Sequence, residues 1–225
     1  MLVCGKNVFN ETDPKSIRRV RLSSNFRDQD IMKKIKDNRI KYMVSDQREL
    51  DRLMLHNQGI VIEINDYEYK DLSVIGKDEN LVLLLDHLED PHNFGAIIRT
   101  CEARGIKSVI IPKDRSVVVN DTVMKTSAGA LNRVNIIMVP NLVNAMNKLK
   151  DDGFFVYASA MDGRDYKKVT YADRVVLVIG NEGKGISKIV RDNSDEIISI
   201  PMIGSINSLN ASVAAGILMY GIDIG

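Results

Sequence analysis

The sequence predicts an α/β protein in two parts: a small mixed α/β unit over residues 1–70 and a doubly wound, mostly parallel sheet over 81–225. Two observations lead there. Continuous apolar runs such as Leu81-Val-Leu-Leu-Leu and Val175-Val-Leu-Val-Ile read as strands buried on both faces, the habit of parallel sheets. Helical patterns separate most of these runs, and strands that alternate with helices close into a sheet with helices packed on it.

In chain order, Arg19-Val-Arg-Leu reads as a strand, and Asp30 is expected to cap a helix that begins Ile31-Met-Lys-Lys-Ile-Lys. Ile40 to Ser45 is a strand, Gln47 to Met54 a helix and Gly59 to Ile64 another strand. The polar stretch from Asn65 to Asn80 has no strong periodicity, and residues 71–80 are expected to be a linker. Strands then follow at 81–86, 108–111, 135–139, 154–158, 175–179 and 197–200, with helices at 94–104, 142–150, 187–191 and 211–220. Gly105 stops the first of these helices just past its last turn. There is no internal repeat and no low-complexity tract.

With 44% hydrophobic and 27% charged residues, the 225-residue chain has an ordinary globular composition. No apolar run approaches the roughly 18–20 residues of a membrane span. The N-terminus lacks the basic-then-apolar layout of a signal peptide, so a cytoplasmic location is expected. Cys4 and Cys101 form no metal spacing and are read as reduced thiols in packing roles. His56, His87 and His92 make no zinc pattern, and no metal is expected. The net charge of +1 hides an uneven distribution: residues 15–41 hold ten Lys or Arg against three Asp, a local +7. Such a cluster suits either a phosphate backbone or a merely solvated face.

Three polar loops fall at strand C-termini, where open α/β sheets bind ligands, and they point to one composite site. In the first, Asp86 to Asn93, Asn93 is read as an N-cap and Pro91 as holding the approach extended; Arg99, six residues on, leans back toward the mouth of the site. The second, Gly180-Asn-Glu-Gly-Lys-Gly, is no phosphate loop, because Ile186 and Ser187 follow where Lys-Ser/Thr is required. Its glycines imply close backbone approach, with Glu182 at the centre. No GxGxxG follows the first strand of the domain, which counts against a dinucleotide fold. The third loop places Gly204, Ser205, Asn207, Ser208 and Asn210 within seven residues ahead of a helix, a density that a ligand explains better than a turn alone.

Together, Asp90-Pro-His-Asn-Phe-Gly-Ala-Ile-Ile-Arg-Thr100, Gly180 to Gly185 and Ile200-Pro-Met-Ile-Gly-Ser-Ile-Asn-Ser-Leu-Asn-Ala-Ser-Val-Ala214 resemble the three motifs of the SpoU/TrmH family, RNA ribose 2′-O-methyltransferases of the SPOUT superfamily. Gly5-Lys6-Asn7 and His56-Asn-Gln-Gly-Ile60 resemble the small ribosomal-protein-like substrate-binding domain of its rRNA branch. The resemblance implies S-adenosylmethionine as cofactor, a deep C-terminal trefoil knot and a homodimer built through the C-terminal domain. It implies catalytic roles for Arg99, Asn93, Glu182, Ser208 and Asn210, and cofactor binding by Gly180, Ile200, Met202, Ser208 and Leu209. Arg99 acts either as a perturbed base or as an electrostatic stabiliser of the developing alkoxide. The expected substrate is RNA, a guanosine of large-subunit rRNA, since the chain has the N-terminal domain and no long C-terminal extension. A tRNA is the alternative within the class, and a catalytically silent RNA-binding or ribosome-assembly factor is the alternative outside it.

Overall fold

A computed structural model describes residues 1–205 and 208–223 of the chain, which form two sheets. The first unit runs β1 (Leu2–Cys4), α1 (Lys6–Glu11), β2 (Ile17–Ser23), α2 (Gln29–Asp37), β3 (Tyr42–Ser45), α3 (Gln47–Leu53), β4 (Ile60–Ile64). Its sheet order is β1-β4-β2-β3, with β2 and β3 parallel and β4 antiparallel to both its neighbours, so the sheet is mixed. Ile31 and Ile35 sit one turn apart on α2 and bury against Val20, Leu22, Ile60 and Ile62 of β2 and β4. The cap of α2 is Asp28, whose carboxylate accepts from the Ile31 N–H at 3.2 Å, and not Asp30. A capping side chain must sit on extended backbone ahead of the first turn; Asp30 is already helical and contributes only its charge to the positive end of the helix.

The second unit runs β5 (Leu81–Asp86), α4 (Pro91–Arg104), β6 (Ser108–Pro112), α5 (Asp121–Thr126), β7 (Asn135–Val139), α6 (Leu142–Asp151), β8 (Phe155–Asp165), β9 (Val175–Gly180), α7 (Lys188–Asp192), β10 (Glu196–Ser199), α8 (Ala211–Gly221). All pairs are parallel in the order β10-β8-β9-β5-β6-β7. Every residue of β5 and β9 is buried. Odd and even positions feed two cores, one under α4, α5 and α8, the other under α6 and α7. From β5 the chain builds outward through β6 and β7, then returns to fill the other side, so the order reverses between β5 and β9. That reversal is where a crevice opens at strand C-termini.

β8 runs well past the apolar stretch 154–158 because its polar second half still pairs with β10 across a register shift. Gly163 permits this: a Cβ there would meet the Ile198 backbone within 2.7 Å. Gly105 occupies the left-handed position after α4, as expected (φ 79°).

The stretch 65–80 follows an ordered path. The Lys70 N–H donates to the Ile136 carbonyl at 2.9 Å and its carbonyl accepts from Met138 at 3.2 Å. Tyr67 and Tyr69 pack on one core, Leu72 and Ile75 on the other. The Arg174 guanidinium donates to the carbonyls of Gly76, Glu79 and Asp152 while lying 3.9 Å over the Phe154 ring. The two units touch through α5: Asp121 accepts from the Cys4 N–H at 3.2 Å, and Lys125 Nζ lies 3.2 Å from Cys4 Sγ. Among the described residues no helix is long and apolar enough to cross a membrane.

Candidate active site

The loops after β5 and β9 flank the point where strand order reverses. Asp86, the buried last residue of β5, anchors both. One carboxylate oxygen accepts from the Ser187 N–H at 2.5 Å and the other lies 2.6 Å from His87 Nδ1. The carbonyl of His87, a residue with left-handed backbone (φ 57°), accepts from Asn181 Nδ2 at 2.8 Å. Asn181 Oδ1 in turn accepts from the N–H groups of Gly183 and Lys184, and Asn181 and Gly185 exchange backbone bonds of 3.0 and 2.9 Å. A Cβ on Gly180 would run into the Gly185 and Ile186 backbone, so the close approach of this glycine is to its own loop.

A second set of bonds joins all three loops. Asn93 Nδ2 donates to Glu182 Oε1 at 2.8 Å, and Asn93 Oδ1 accepts from Asn210 Nδ2 at 2.9 Å. Asn210 Oδ1 accepts from the backbone N–H groups of Ser212 and Val213 and from the Ser212 hydroxyl. Both amide orientations follow from the ends of the chain: an ionised carboxylate only accepts, and a helix N-terminus only donates. Every donor therefore points toward Glu182, along a line running from the positive end of α8 to a negative charge.

The expected capping role of Asn93 is corrected by this arrangement. Asp90 caps α4, accepting from the His92 N–H at 3.0 Å, and Pro91 is the first helical residue instead of an extended approach. With the cap supplied three residues earlier, Asn93 lies in the first turn, 7% exposed, and its amide is free to cross to the other loops. Asn210 is the asparagine that caps, at α8.

The remaining expected site residues are less tightly held. Arg99 is exposed on α4 and makes no hydrogen bond or ion pair with any described residue. Six residues on, at about 100° each, it projects from a different side of the helix than Asn93. Ser208 is exposed two residues before the α8 cap. Ile200 packs against the core that α4 and α8 cover, Leu209 is half-buried, and Met202 is 38% exposed. Asn207, part of the small polar cluster, lies outside the described residues. Sequence reasoning missed Asp86 and Asn181, the two side chains that fold the loops together. The signal for Asp86 was an acid ending an otherwise wholly apolar strand.

Both cysteines are free and buried. Burial pushes the Cys101 thiol up from its ordinary value, and its Sγ lies 3.5 Å from Met219 Sδ, a packing role.

Comparison with known proteins joins this geometry to a family. Residues 80–220 match the family model described as the SpoU rRNA Methylase family, and residues 2–70 match one described as RNA 2′-O ribose methyltransferase substrate binding. A protein of Staphylococcus aureus (strain MSSA476), provisionally named a TrmH family tRNA/rRNA methyltransferase, is 43% identical over 199 residues, covering 85% of this chain and 80% of its own length. Among solved structures, the SpoU methyltransferase AviRb from Streptomyces viridochromogenes, in complex with the cofactor AdoMet, superposes with a TM-score of 0.83 over 98% of this chain and 88% of its own. At 23% identity that likeness is one of fold. The A. aeolicus TrmH/SpoU tRNA modifying enzyme is 32% identical, with a TM-score of 0.58 over 64% of this chain and 74% of its own. The match across the whole larger sheet, together with the 43%-identical relative, makes this chain a member of the SpoU rRNA methylase family.

Proposed function

We propose that the chain transfers a methyl group from S-adenosylmethionine to the 2′-hydroxyl of an RNA ribose, and that the substrate is a guanosine of large-subunit rRNA. The observation that carries this reading is the hydrogen-bond chain Glu182–Asn93–Asn210, which ties the three motif loops into one unit at the strand C-termini. The substrate-binding match over residues 2–70 supports RNA as the partner. Residues 1–70 are then the RNA-binding domain, 71–80 the linker and 81–225 the catalytic domain.

The residues present fit the cofactor. Met202 and Ile203 are exposed and Ile200 and Leu209 half-buried, so these apolar side chains are available to an adenosine. Ser187 Oγ is buried without a hydrogen-bond partner among the described residues, a polar group left for a ligand to satisfy. Gly180, Ile200, Met202, Ser208 and Leu209 form this binding set. When bound, S-adenosylmethionine supplies an electrophilic methyl group on a sulfonium.

The chain's own residues bring the hydroxyl to it. Holding the two reactants in line contributes up to about 7–11 kcal/mol, the largest single share. Asn93, pinned between Glu182 and Asn210, fixes the floor on which the ribose rests; Ser208 and Asn210 border it. Arg99, a cation with no partner among the described residues and exposed to solvent, binds the neighbouring phosphate and stabilises the alkoxide as the hydroxyl proton passes to solvent water. The same reading includes a deep C-terminal trefoil knot. It also includes a homodimer in which a second copy covers α8, whose Val213 and Tyr220 are exposed.

Mapping 2′-O-methyl groups in total RNA from cells with and without the protein tests the assignment. Loss of one methylated guanosine from large-subunit rRNA is the expected result. Loss from a tRNA would move the substrate to tRNA. No loss, with no heat of S-adenosylmethionine binding in calorimetry, would leave a silent RNA-binding factor.

A further inference from the structure

Eight of the ten cations in residues 15–41 are exposed, but they are not equivalent. Lys34 is committed to the fold: its ammonium donates to the carbonyls of Phe9 and Asn10 at the end of α1, and burial holds it below the ordinary lysine range. Arg18 is tied to Asn65. Arg27, Lys33 and Lys36 instead surround a cleft of about 470 Å³ on the outer side of α2, with Phe26 and Met32 in its wall. That volume falls in the ~300–1,000 Å³ range of sites for small organic groups.

The wall is held from behind. The left-handed Gly59 (φ 77°) brings its backbone against the Phe26 ring, where even a Cβ would lie 3.3 Å from Cδ2. Lys6 Nζ lies 5.4 Å from the ring centroid and 3.0 Å from Asp28 Oδ2. Of the two rim carboxylates, Asp28 is thus already paired with an ammonium, which holds it below the usual carboxylate range, and also caps α2; Asp37 stands at the far end of the helix. The lining thus carries three cations against two carboxylates, one of them already neutralised by Lys6, and its wall holds one aromatic ring and one polarisable thioether.

We infer that the cleft between Phe26 and α2 takes one unstacked base of the RNA substrate, packed against Phe26 and Met32, while Arg27, Lys33 and Lys36 hold the flanking phosphates. RNA sequence is read chiefly at unpaired nucleotides splayed onto aromatic side chains, and cations along the backbone supply the affinity. A paired helix would engage the cations but leave the wall unused. The inference rests on the RNA-binding role proposed for residues 1–70 and assigns that role to one site on its surface.

The test uses the full chain and two fluorescein-labelled probes, a short single-stranded oligoadenylate and a fully paired RNA hairpin of equal charge. Phe26→Leu keeps an apolar side chain but removes the ring. It is expected to weaken oligoadenylate binding about 5- to 150-fold, the range of one base stack, and to change hairpin binding little. The double variant Lys33→Gln/Lys36→Gln, confined to exposed residues, is expected to lower the slope of log affinity against log salt by about 1.4, at about 0.7 per phosphate contact on a single strand. In methyl transfer to total RNA, both should raise KM and leave kcat unchanged. The inference is overturned if the folded Phe26→Leu protein binds oligoadenylate as the parent does, if the parent binds hairpin and single strand alike, or if polyglutamate competes as well as polyadenylate. If the parent methylates RNA while these variants behave normally, only the cleft assignment fails; if the parent neither binds nor methylates RNA, the proposed function fails with it.

Discussion

Asn93 donates through Nδ2 to the carboxylate of Glu182, 89 residues away in sequence, and accepts through Oδ1 from Asn210, 117 residues away. One amide thus reads the position of both other loops. Asn93→Asp would replace the donor with an acceptor facing Glu182 and set two carboxylates against each other. Methyl transfer to RNA, followed with labelled S-adenosylmethionine, is expected to fall about 100-fold or more, the scale of losing one preorganised polar contact. Glu182→Gln keeps an acceptor for Asn93 and should cost less. The reverse order of severity would contradict a positioning role for this amide.

Arg99 has its guanidinium in solvent, unengaged by any described residue. Arg99→Ala is expected to lower kcat by about 100- to 1,000-fold while S-adenosylmethionine affinity in calorimetry stays near the parent value. Arg99→Lys should recover part of the rate, since it restores the charge but not the planar fork. Near-normal turnover of Arg99→Ala would remove this residue from the chemistry.

Gly95 faces α5 so closely that a Cβ would overlap the Thr126 hydroxyl and stand 3.1 Å from the Ser127 nitrogen. Gly95→Ala should therefore destabilise the protein by about 1–3 kcal/mol, the usual cost of overpacking, read as a lower urea midpoint. Because α5 also carries Asp121 and Lys125, which hold β1, the variant should be cut by trypsin in the 65–80 stretch faster than the parent. Unchanged proteolysis would mean that the two units dock independently of this helix contact.

Tyr67 and Tyr171 are both pushed up to about 12, in each case chiefly by burial of the phenol. The folded state therefore prefers the protonated ring. The contribution is fully present below the unfolded value of about 10 and is lost as pH rises through 12. Thermal unfolding should accordingly shift to lower temperature between pH 10 and pH 12. Tyr67→Phe, which cannot ionise, should flatten that decline.

How much was legible in the sequence depended on whether a residue's environment repeats along the chain. β5 and β9 were plain because burial on both faces leaves an unbroken apolar run. α5 was not, because six residues carry no usable period and owe their helix to the Asn120 cap and the contact with Gly95. The second half of β8 was hidden for a related reason: its residues are polar, and only pairing with β10 makes them a strand. At the site, the composition of the three loops announced a ligand. It could not say that Asp90 would take the cap and leave Asn93 to bridge, since both residue types cap equally well and only the start of the helix decides between them.

The bond between Lys70 and β7 bears on self-association of the larger sheet. A parallel sheet of six strands has two open flanks, and an uncovered flank invites pairing with another chain. On the β7 side that flank is occupied by Lys70, with Tyr67 and Tyr69 laid beside it. The stretch that joins the two units is thus also a guard strip for the larger one. A fragment begun at Leu81 would lose that guard and expose Ile136 to Met138 as a template for aggregation. A fragment begun at Asp66 would keep it.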